Sequence, residues 1–538
     1  MSETLRAADA LAQRLYQEGC RFAFGMPGGE VLTIVDALTR AGIRFILAKH
    51  ENAAAFMAEG TWHRTGAPGI LVATVGPGVL NGVNAVANAQ QDRVPLIVLA
   101  GAIDADEAQT YTHQVLDQTQ VFRPITKASF TLTAGAAHVI ADKALAIATQ
   151  PQQGPVHIDV PISVAVAAAT DGKVHRSTAV PVIPNDTVLD NLSEQVKVAE
   201  RVAIIAGLDA ISEAGASALA KCAEALGIPI VTTYKGKGLV PEYHDLCLGG
   251  AGLSPKADAI LLPMLATADL IIGLGYDPIE MRTGWRNFLT DGQKMIDITT
   301  VPNTHYMHQG STNIIADPVA TLEALCERLA NGTGPLWPPS EVQATKAKLA
   351  QAFPHDEVWG PAAIIDECRK ILPPDTLATA DSGAHRILLS QMWECYEPRG
   401  LMQSSALCTM GCAVPLAMGA EIASPDRKVV SFSGDAGFLM VAGELSTAKE
   451  LGLKTIFLIF VDASLALIEK KQRERQLPNA GVDFGTHDFA AVGRAFGGVG
   501  HKVTSRIELQ TALDAALRAD TFTVIAAHIE RGAYDGRI

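Results

Sequence analysis

The sequence predicts an α/β protein of three domains, each with a parallel sheet flanked by helices. The first indication is a series of short apolar runs, each followed by a stretch with helical spacing. The runs are continuous rather than alternating, which is typical of strands buried on both faces of a sheet. They are GILVATVG (69–76), VPLIVLAG (94–101), VAIIAG (202–207), IPIVTT (228–233), ADLIIGLG (268–275), KVVSFSGD (428–435), TIFLIFVD (455–462) and FTVIAAHI (522–529).

The second indication is the position of two stretches that lack any such pattern. Residues 166–190 and 331–358 lose their apolar periodicity and are richer in proline and polar residues, as linkers are. They divide the chain into predicted domains over residues 1–165, 190–330 and 358–538. A chain of 538 residues is long enough for this division, because domains average roughly 150 residues.

Composition and charge exclude some classes of protein. The chain has 43 Lys and Arg against 57 Asp and Glu, a net charge of −14, which argues against a general nucleic-acid binder. Residues 1–19 read as a charged amphipathic helix rather than a signal peptide, and the weakly polar stretch 406–420 is too short for a membrane span. The 8 cysteines form no CxxC pair. We therefore expect a cytoplasmic protein with reduced thiols and neither membrane nor nucleic acid as a partner.

Two aspartates follow predicted strands that are neighbours along the chain. Asp435 comes directly after KVVSFSG, and Asp462 comes directly after TIFLIFV. Because the carboxyl ends of parallel strands meet at one edge, both would face the start of the helix after Asp435, where a phosphate binds readily. Mg²⁺ takes such oxygen ligands and shares them with phosphates. On these residues alone, two unrelated helix-capping aspartates explain the pattern equally well.

The segments around these aspartates resemble the cofactor motif of thiamine-diphosphate enzymes. Gly434-Asp435-Ala436, followed at a similar distance by Val461-Asp462-Ala463-Ser464, is similar to that motif. The resemblance implies that Asp435, Asp462 and the backbone carbonyl of Ser464 hold Mg²⁺, which bridges the cofactor's diphosphate. The sequence departs from the family where Ala436 replaces a glycine and Asp462 replaces the usual asparagine. Ala436 suits the motif if its φ is negative, and Asp462 keeps an oxygen ligand.

The N-terminal half supplies an independent match in KHENAAAFMAEG (49–60). This helix has little polar surface, so Glu51 is expected to be buried, and a buried carboxyl group needs a partner or a raised pKa. Taken alone, Glu51 would be an ordinary surface glutamate. The resemblance instead makes it the acid that exchanges a proton with N1′ of the cofactor's pyrimidine.

Further segments match the family in the same order along the chain. They are FAFGMPGGEVLTIVDAL (22–38), TVGPGVLNGVNAVANAQQDRVPLIVLAG (74–101), HQVLDQTQVFRPITK (113–127), DSGAHR (381–386) and LCTMGCAVPLAMGAE (407–421). The resemblance implies an N-terminal pyrimidine-binding domain, a middle domain and a C-terminal diphosphate-binding domain. It also implies that Met410 lies under the cofactor and keeps it bent, and that Cys408 offers its backbone carbonyl to the 4′-amine.

The resemblance, carried over residue by residue, assigns three groups of positions. The catalytic residues are Glu51, Gln114 and Met410. The cofactor-binding residues are Gly25, Pro27, Gly28, Thr74, Gly76, Pro77, Asn81, Gly383, Ala384, His385, Cys408, Met410, Gly434, Ala436, Gly437, Leu465, Ala466 and Leu467. The substrate residues are Gly29, Gln114, Lys127 and Arg282, with an ordinary surface arginine as the alternative for Arg282.

Within the family, the sequence resembles the flavin-free, catabolic acetolactate synthases. GYDPIEMR (275–282), Asp462 and VDFGTHDFAAVGRAFG (482–497) carry this resemblance. The biosynthetic branch of the family binds FAD in its middle domain. No GxGxxG fingerprint follows a middle-domain strand here, and the subgroup also argues against FAD, although the sequence leaves that cofactor open.

Several activities are compatible with these motifs. The first is a carboligase that decarboxylates a pyruvate-like 2-oxo acid and adds the resulting carbanion to a second carbonyl, which gives 2-acetolactate when pyruvate is the acceptor. The second is a simple 2-oxo-acid decarboxylase, which is disfavoured because His113 stands beside Gln114 rather than in a His-His pair. The motifs also allow a lyase or hydrolase acting on acyloins, diketones or acyl-CoA, and a non-catalytic cofactor-binding homologue.

The resemblance also predicts the assembly. In the family, the cofactor lies between the first domain of one chain and the last domain of another. We therefore expect a homodimer or homotetramer in which Glu51 and Asp435 of one active site come from different subunits.

Overall fold

The computed structural model of the chain describes residues 5–170, 179–329 and 336–538. It contains three six-stranded sheets in which neighbouring strands are parallel, and helices flank each sheet. The predicted α/β class is confirmed. Each of the apolar runs identified in the sequence forms a strand, because a continuous apolar segment can be buried on both faces.

The first sheet has the strand order β2-β1-β3-β4-β6-β5. Its strands are β1 (Phe22–Met26), β2 (Arg44–Leu47), β3 (Gly69–Ala73), β4 (Leu96–Ala102), β5 (Ala128–Thr131) and β6 (Val156–Pro161). The helices are α1 (Ala7–Gln17), α2 (Leu32–Ala41), α3 (Glu51–Thr65), α4 (Pro77–Asn81), α5 (Val83–Gln91), α6 (Gln118–Phe122), α7 (Ala137–Thr149) and α8 (Ile162–Val166).

The middle sheet has the order β12-β11-β10-β7-β8-β9. Its strands are β7 (Val202–Ala206), β8 (Ile230–Thr232), β9 (Cys247–Gly250), β10 (Leu270–Leu274), β11 (Lys294–Thr299) and β12 (Thr312–Ile315). Its helices are α9 (Asp186–Val198), α10 (Glu213–Leu226), α11 (Pro255–Leu265) and α12 (Pro318–Leu329).

The third sheet has the order β14-β13-β15-β16-β18-β17, which repeats the relative order of the first. Its strands are β13 (Leu377–Ala380), β14 (Leu401–Gln403), β15 (Val429–Gly434), β16 (Ile456–Val461), β17 (Val499–Val503) and β18 (Thr523–His528). The helices are α13 (Pro339–Ala352), α14 (Pro361–Ile371), α15 (Ala384–Met392), α16 (Ala413–Ala423), α17 (Asp435–Leu439), α18 (Leu445–Leu451), α19 (Ala466–Glu474), α20 (Phe489–Ala495) and α21 (Arg506–Arg518).

The predicted linkers fall only partly on described residues. Residues 171–178 and 331–335 lie outside them. The described part of the second stretch contains helix α13, with Pro339 in its first turn. Proline is well suited to that position, and the lysines, alanines and glutamines that follow are good helix formers. The stretch predicted as a linker therefore carries a helix of its own.

Each terminal sheet has a crevice where neighbouring strands lead away in opposite directions. It lies between β1 and β3 in the first sheet and between β13 and β15 in the third. Ligands of open α/β sheets bind at such points, beyond the carboxyl ends of the strands. Residues 27–29 and 74–81 follow β1 and β3, while residues 381–383 and 435–437 follow β13 and β15. The fold thus places the predicted site segments at two crevices.

Helices α3 and α16 pack so closely that their backbones touch. A Cβ atom on Gly60 would lie 2.4 Å from the carbonyl oxygen of Leu416, and one on Gly419 would lie 2.1 Å from that of Met57. Only glycine permits this approach. Because α3 belongs to the first domain and α16 to the third, the crossing joins these two domains within one chain. Most residues of α3 are buried, including Glu51.

The structure corrects the expectation that all the cysteines are reduced. Cys222 on α10 and Cys326 on α12 form a disulfide, with their Cα atoms 5.8 Å apart. The two residues are 104 positions apart in sequence, so no local motif reveals a pairing that depends on the packing of two helices. The free cysteines are Cys20, Cys247, Cys368, Cys395 and Cys412, which are buried, and Cys408, which is exposed.

Over residues 5–170, 179–329 and 336–538, no helix combines the length and the apolar character needed to cross a membrane.

Candidate active site

The crevice of the third sheet opens into a cleft of about 620 Å³. Its walls come from the turns after β13, β15 and β16, from the first turn of α19, and from the loop before α16. Residues that the sequence assigned to the cofactor or metal form most of the lining: Gly383, Ala384, His385, Met410, Gly434, Asp435, Ala436, Gly437, Asp462, Ser464, Leu465, Ala466 and Leu467. The structure therefore brings the C-terminal half of the predicted site together.

Asp435 and Asp462 lie at adjacent strand ends because β15 and β16 pair in parallel. One carboxylate oxygen of Asp435 accepts hydrogen bonds from the backbone amides of Asp462 (3.1 Å) and Ala463 (2.8 Å). The other accepts one from the amide of Ala436 (2.9 Å). Ala463 adopts a left-handed φ of 53°, which turns the chain sharply after Asp462. The carboxyl group of Asp435 thus holds the turn in which Asp462 lies.

Burial and proximity change the ionisation of both carboxyl groups. Burial, and then the charge of Asp435, raises the pKa of Asp462 to about 7. Burial also raises the pKa of Asp435, against the backbone hydrogen bonds that lower it. A cation beside these two groups would relieve their repulsion, and carboxylate oxygens are the ligands that Mg²⁺ prefers. The donor set therefore fits a divalent cation.

The same cleft offers hydrogen-bonding groups to an anion. Helices α15 and α19 begin at Ala384 and Ala466, which line the cleft, and amides in a first helical turn lack intrahelical partners. His385 also lines the cleft, and its buried Nε2 has no hydrogen-bond partner among the residues that the structure describes. Burial lowers the pKa of His385 to about 3, so its ring is neutral. Together with the carboxylate pair, these groups fit a diphosphate bound through a metal ion.

The glycine positions of the motif have different requirements. Ala436 lies in the first turn of α17 and is not one of the residues with positive φ, so an alanine side chain is accommodated. The restrictive position is the next one, because a Cβ atom on Gly437 would lie 1.9 Å from Oδ2 of Asp381. Asp381 is buried and accepts hydrogen bonds from the amides of Gly411 (3.0 Å) and Cys412 (3.2 Å). It thereby ties the loop that carries Met410 to the end of β13.

Sequence reasoning missed four residues of the cleft, namely Ser382, Phe460, Ile468 and Tyr534. Two of them could have been found: Ser382 lies inside a matched segment, and Phe460 lies two residues before Asp462, on the same side of a strand. Tyr534 had no local signal, because it reaches the cleft through the turns that follow β18. Burial, followed by the charges of Asp462 and Asp435, raises its pKa.

In the N-terminal half, Glu51 is held at the crevice of the first sheet. Its side chain is 4% exposed, as the sequence predicted, and its Oε2 accepts a hydrogen bond of 3.0 Å from the amide nitrogen of Asn81 on α4. Gly78 permits this approach, since a Cβ atom there would lie 3.0 Å from Oε1. The hydrogen bond from Asn81 therefore engages Oε2 and leaves Oε1 to other partners.

The turns after β1 and β3 pack directly against each other. A Cβ atom on Gly28 would lie 2.3 Å from Oγ1 of Thr74, which donates a hydrogen bond of 2.6 Å to Glu30. Gly76 has a left-handed φ of 69°, and a Cβ atom there would lie 3.5 Å from that of Gln114, whose own φ is 58°. The structure therefore brings these predicted residues together, and Pro27, Gly29 and Pro77 are exposed on the same turns.

A buried glutamine supports this arrangement and was not predicted. The side chain of Gln118 accepts a hydrogen bond from the amide of Gly76 (3.0 Å) and donates to the carbonyl of Gly101 (3.0 Å) and to Asp159 (2.6 Å). Glutamine is common on protein surfaces, so only the observed burial identifies its role.

Three predicted residues make other contacts within the chain. Gly25 is inside β1, where a Cβ atom would lie 1.8 Å from the carbonyl oxygen of Val72, so it serves strand packing. Lys127 precedes β5 at the amino-terminal edge of the first sheet, opposite its crevice, and donates to the carbonyl of Gln150 (2.9 Å). Arg282 is exposed on the loop after β10 and donates to the carbonyl of Leu253 (3.1 Å). Within the chain, Lys127 and Arg282 do not line the cleft.

The loop that carries Cys408 and Met410 is held from another domain. Asp92, which follows α5, accepts hydrogen bonds from the amides of Ser405 (2.9 Å) and Ala406 (2.8 Å), and pairs with Lys235 of the middle domain (3.1 Å). Cys408 has a left-handed φ of 53° and lies outside the lining of the cleft. Contacts from all three domains therefore fix the loop from which Met410 projects.

Within one chain, the two halves of the site lie in separate cavities. The lining of the diphosphate cleft runs from Ser382 to Tyr534 and includes none of the described residues of the first domain. A second cavity contains His50, Asn52 and Asn81, and Met410 lines both. Met410 therefore lies between the cavity that contains the neighbours of Glu51 and the cleft that contains Asp435 and Asp462.

Three family models match the chain in the order of its sheets. Residues 5–121 match the N-terminal TPP binding domain of thiamine pyrophosphate enzymes, residues 189–325 their central domain, and residues 381–527 their C-terminal TPP binding domain.

Full-length relatives are similar over nearly the whole chain. An acetolactate synthase large subunit of Parasynechococcus marenigrum is 30% identical over 98% of this chain and 88% of its own length. The chain belongs to the acetolactate synthase family of thiamine-diphosphate enzymes. A catabolic acetolactate synthase of Raoultella terrigena is 29% identical over 97% of this chain and 95% of its own length. A probable 2-ketoarginine decarboxylase of Pseudomonas aeruginosa is 28% identical over 97% and 94%, respectively.

Membership of the acetolactate synthase family determines the class of chemistry. The chain is an enzyme with thiamine diphosphate as its cofactor and with carboligation as its reaction type. The cleft at the third sheet lies inside the segment that matches the C-terminal cofactor-binding domain, and Glu51 lies inside the segment that matches the N-terminal one.

Proposed function

We propose that this enzyme decarboxylates a pyruvate-like 2-oxo acid and joins the remaining acyl unit to the carbonyl carbon of a second 2-oxo acid. With pyruvate in both roles, the product is 2-acetolactate. The observation that carries the proposal is the convergence of Asp435, Asp462, His385 and Met410 on one cleft. Thiamine diphosphate, when bound, supplies the nucleophilic carbon and the electron sink that decarboxylation needs.

The residues of the cleft divide the work of holding the cofactor. We assign Asp435, Asp462 and the carbonyl of Ser464 to Mg²⁺, because the two carboxyl groups repel each other and offer oxygen ligands. His385 and the first turns of α15 and α19 bind the diphosphate. Met410 supports the cofactor from the loop that Asp92 and Asp381 hold in place.

Substitution of the two aspartates should affect cofactor binding differently. Asp435→Ala removes a metal ligand and three backbone hydrogen bonds, so we expect the affinity for thiamine diphosphate with Mg²⁺ to fall by at least roughly 100-fold. Asp462→Asn keeps an oxygen ligand and removes a like charge, so we expect an affinity close to that of the parent. Calorimetric titration of each variant measures both. The metal assignment is wrong if Asp462→Asn loses the cofactor while Asp435→Ala retains it.

We assign Glu51 to proton exchange with the cofactor's pyrimidine N1′. Its burial, its hydrogen bond with Asn81 and its position at the crevice of the first sheet support this role. A carboxyl group held by one partner, away from water, can both give and accept a proton at a fixed point.

Glu51→Gln should bind the cofactor normally and slow its activation. The amide keeps the shape of the side chain and a hydrogen bond with Asn81 but exchanges no proton. We expect exchange of the cofactor's C2 hydrogen with deuterated solvent to slow by roughly 10²–10⁴-fold, measured by NMR after acid quench. Glu59→Gln is the matched control on the same helix, since burial raises the pKa of Glu59 to about 8 and an amide resembles its protonated form. Unchanged exchange in Glu51→Gln would remove Glu51 from the mechanism.

We further propose that the active unit is a dimer in which each site combines Glu51 of one chain with Asp435 of another. The separate cavities support this, because neither holds both residues. Exposed apolar side chains also flank both half-sites, which is typical of surfaces that pair. They are Leu32, Leu47, Leu80, Tyr111, Val115 and Leu116 in the first domain and Leu407, Leu439, Met440 and Ile468 in the third.

Mixing two inactive variants tests this arrangement. Glu51→Gln and Asp435→Ala chains, unfolded and refolded together in equal amounts, should form mixed dimers with one intact and one doubly altered site. Random pairing makes half of the dimers mixed, so we expect about a quarter of the parent's activity to return. Each variant refolded alone is the control. If each site were built within one chain, every site in the mixture would be defective and no activity would return.

The products decide which reaction the enzyme catalyses. We expect the protein, supplied with thiamine diphosphate, Mg²⁺ and pyruvate, to release CO₂ and form 2-acetolactate, identified by mass. A panel of other 2-oxo acids, including 2-oxo-5-guanidinovalerate, tests the second candidate, a simple decarboxylase, which the similarity to the probable 2-ketoarginine decarboxylase favours. If every 2-oxo acid yielded only CO₂ and an aldehyde, the enzyme would be a simple decarboxylase rather than a carboligase.

We place the enzyme in the cytoplasm. The free cysteines support this compartment, whereas the Cys222–Cys326 disulfide argues against it, since disulfides are rare there.

A further inference from the structure

A cavity separate from the cofactor cleft lies where the three domains meet. It has a volume of about 610 Å³ and is lined by Trp62, Arg93 and Gln152 of the first domain, Asp209 and Thr300 of the middle domain, and Arg399 of the third. Asp209 and Thr300 follow β7 and β11, so the cavity opens at the carboxyl edge of the middle sheet. Ligands of parallel α/β sheets bind at that edge.

Arg399 distinguishes this cavity from the other interdomain contacts. Its guanidinium group lies 4.6 Å from the centre of the Trp62 ring and donates to the carbonyl of His63 (3.4 Å). Among the described residues, it has no carboxylate partner within 4.0 Å. Burial, and then the nearby charge of Arg64, lowers its pKa to about 10, so it remains a cation at neutral pH. A half-buried, unpaired cation in a cavity wall favours an anionic ligand.

The neighbouring cations are paired, which singles out Arg399. Arg93 pairs with Asp277 at 3.3 Å, and Lys235, in the adjoining part of the same junction, pairs with Asp92 at 3.1 Å. The acid on the opposite wall is also satisfied, because Oδ2 of Asp209 accepts hydrogen bonds from the hydroxyl (2.5 Å) and the amide (3.3 Å) of Thr300. Asp209 remains an acidic group in the wall, and Arg399 is the cation of the lining that lacks a carboxylate partner among the described residues.

The backbone at both arginines is held in an unfavourable conformation. Arg93 has a φ of 60° and Arg399 a φ of 61°. Residues other than glycine, asparagine and aspartate rarely adopt this left-handed backbone conformation. Such conformations cluster at active sites and ligand clamps. In this chain Gln114, Cys408 and Ala463, at or beside the candidate active site, share the same feature.

We propose that this junction cavity binds a small oxyanion, a carboxylate or a phosphate, with the Arg399 guanidinium as its main partner and Arg93 and Gln152 beside it. The proposal does not depend on which reaction the enzyme catalyses. Because α3 carries Glu51 at its first residue and Trp62 near its last turn, an anion bound here would contact the helix that positions the predicted proton donor. The cavity is therefore a site from which a small anion can influence the active site.

The test uses the holoenzyme with thiamine diphosphate and Mg²⁺ at saturation, so that the cofactor cleft is filled. Inorganic phosphate and acetate are titrated separately by calorimetry, and the two arms distinguish a phosphate from a carboxylate ligand. We expect saturable binding of at least one, weakened about tenfold or more by Arg399→Gln, since a charge-assisted hydrogen bond is lost. Arg21→Gln is the matched control, because Arg21 also stacks on an aromatic ring, 3.9 Å from the centre of Tyr16, and does not line the cavity. It should bind like the parent.

A second measurement needs no variant and so does not depend on folding. Phenylglyoxal modifies arginine side chains, and peptide mass mapping gives the rate at each position. In the holoenzyme, we expect the anion that binds to slow modification of Arg399 and to leave that of Arg21 unchanged. The proposal is overturned if neither anion binds saturably, if Arg399→Gln folds and binds as tightly as the parent, or if the anion leaves the modification rate of Arg399 unchanged.

Discussion

The close crossing of α3 and α16 is the constraint on which most of the structure depends. Gly60 and Gly419 let the two backbones touch, and most residues of α3 are buried. A helix enclosed in this way removes its acids from water. Burial raises the pKa of Glu59 to about 8, and that residue is held by Asn88 (3.3 Å) and His63 (3.4 Å). Glu51 lies at the start of the same rigid helix, so its position is fixed by packing rather than by a flexible loop.

The first and third sheets form the same kind of crevice. Their strands have the same relative order, so each has a crevice at the equivalent place, between its first and third strands. One crevice holds a single buried acid against an asparagine, which suits proton exchange. The other holds two acids at neighbouring strand ends; burial, and then the charge of Asp435, raises the pKa of Asp462 to about 7, and such a pair suits a cation. Identical topology thus yields different chemistry through the residues at the strand ends.

The sequence predicted those parts of the molecule that local pattern determines. Continuous apolar runs predicted the strands, and the positions directly after two of these runs identified Asp435 and Asp462 as candidate site residues. The features that the sequence did not predict depend on contacts between segments that are distant along the chain. The disulfide between Cys222 and Cys326 requires two helices to pack together, and Tyr534 reaches the cleft from the end of the chain. Lys127 was assigned by resemblance alone; it lies before β5, at the edge away from the crevice of its own sheet, and its role toward the substrate stays a prediction.

The alanine in the cofactor motif shows which of the small residues the site requires to be glycine. Its second glycine is replaced by Ala436, which occupies a helical turn and needs no special backbone freedom. Gly437 has no such freedom, because any side chain would enter the space of Asp381, and Asp381 also holds the Met410 loop through Gly411 and Cys412. The glycine requirement therefore comes from the approach of a buried carboxylate rather than from the conformation of the turn. A residue of the motif can therefore change without loss of the site when the close contact that requires glycine is made by the neighbouring residue.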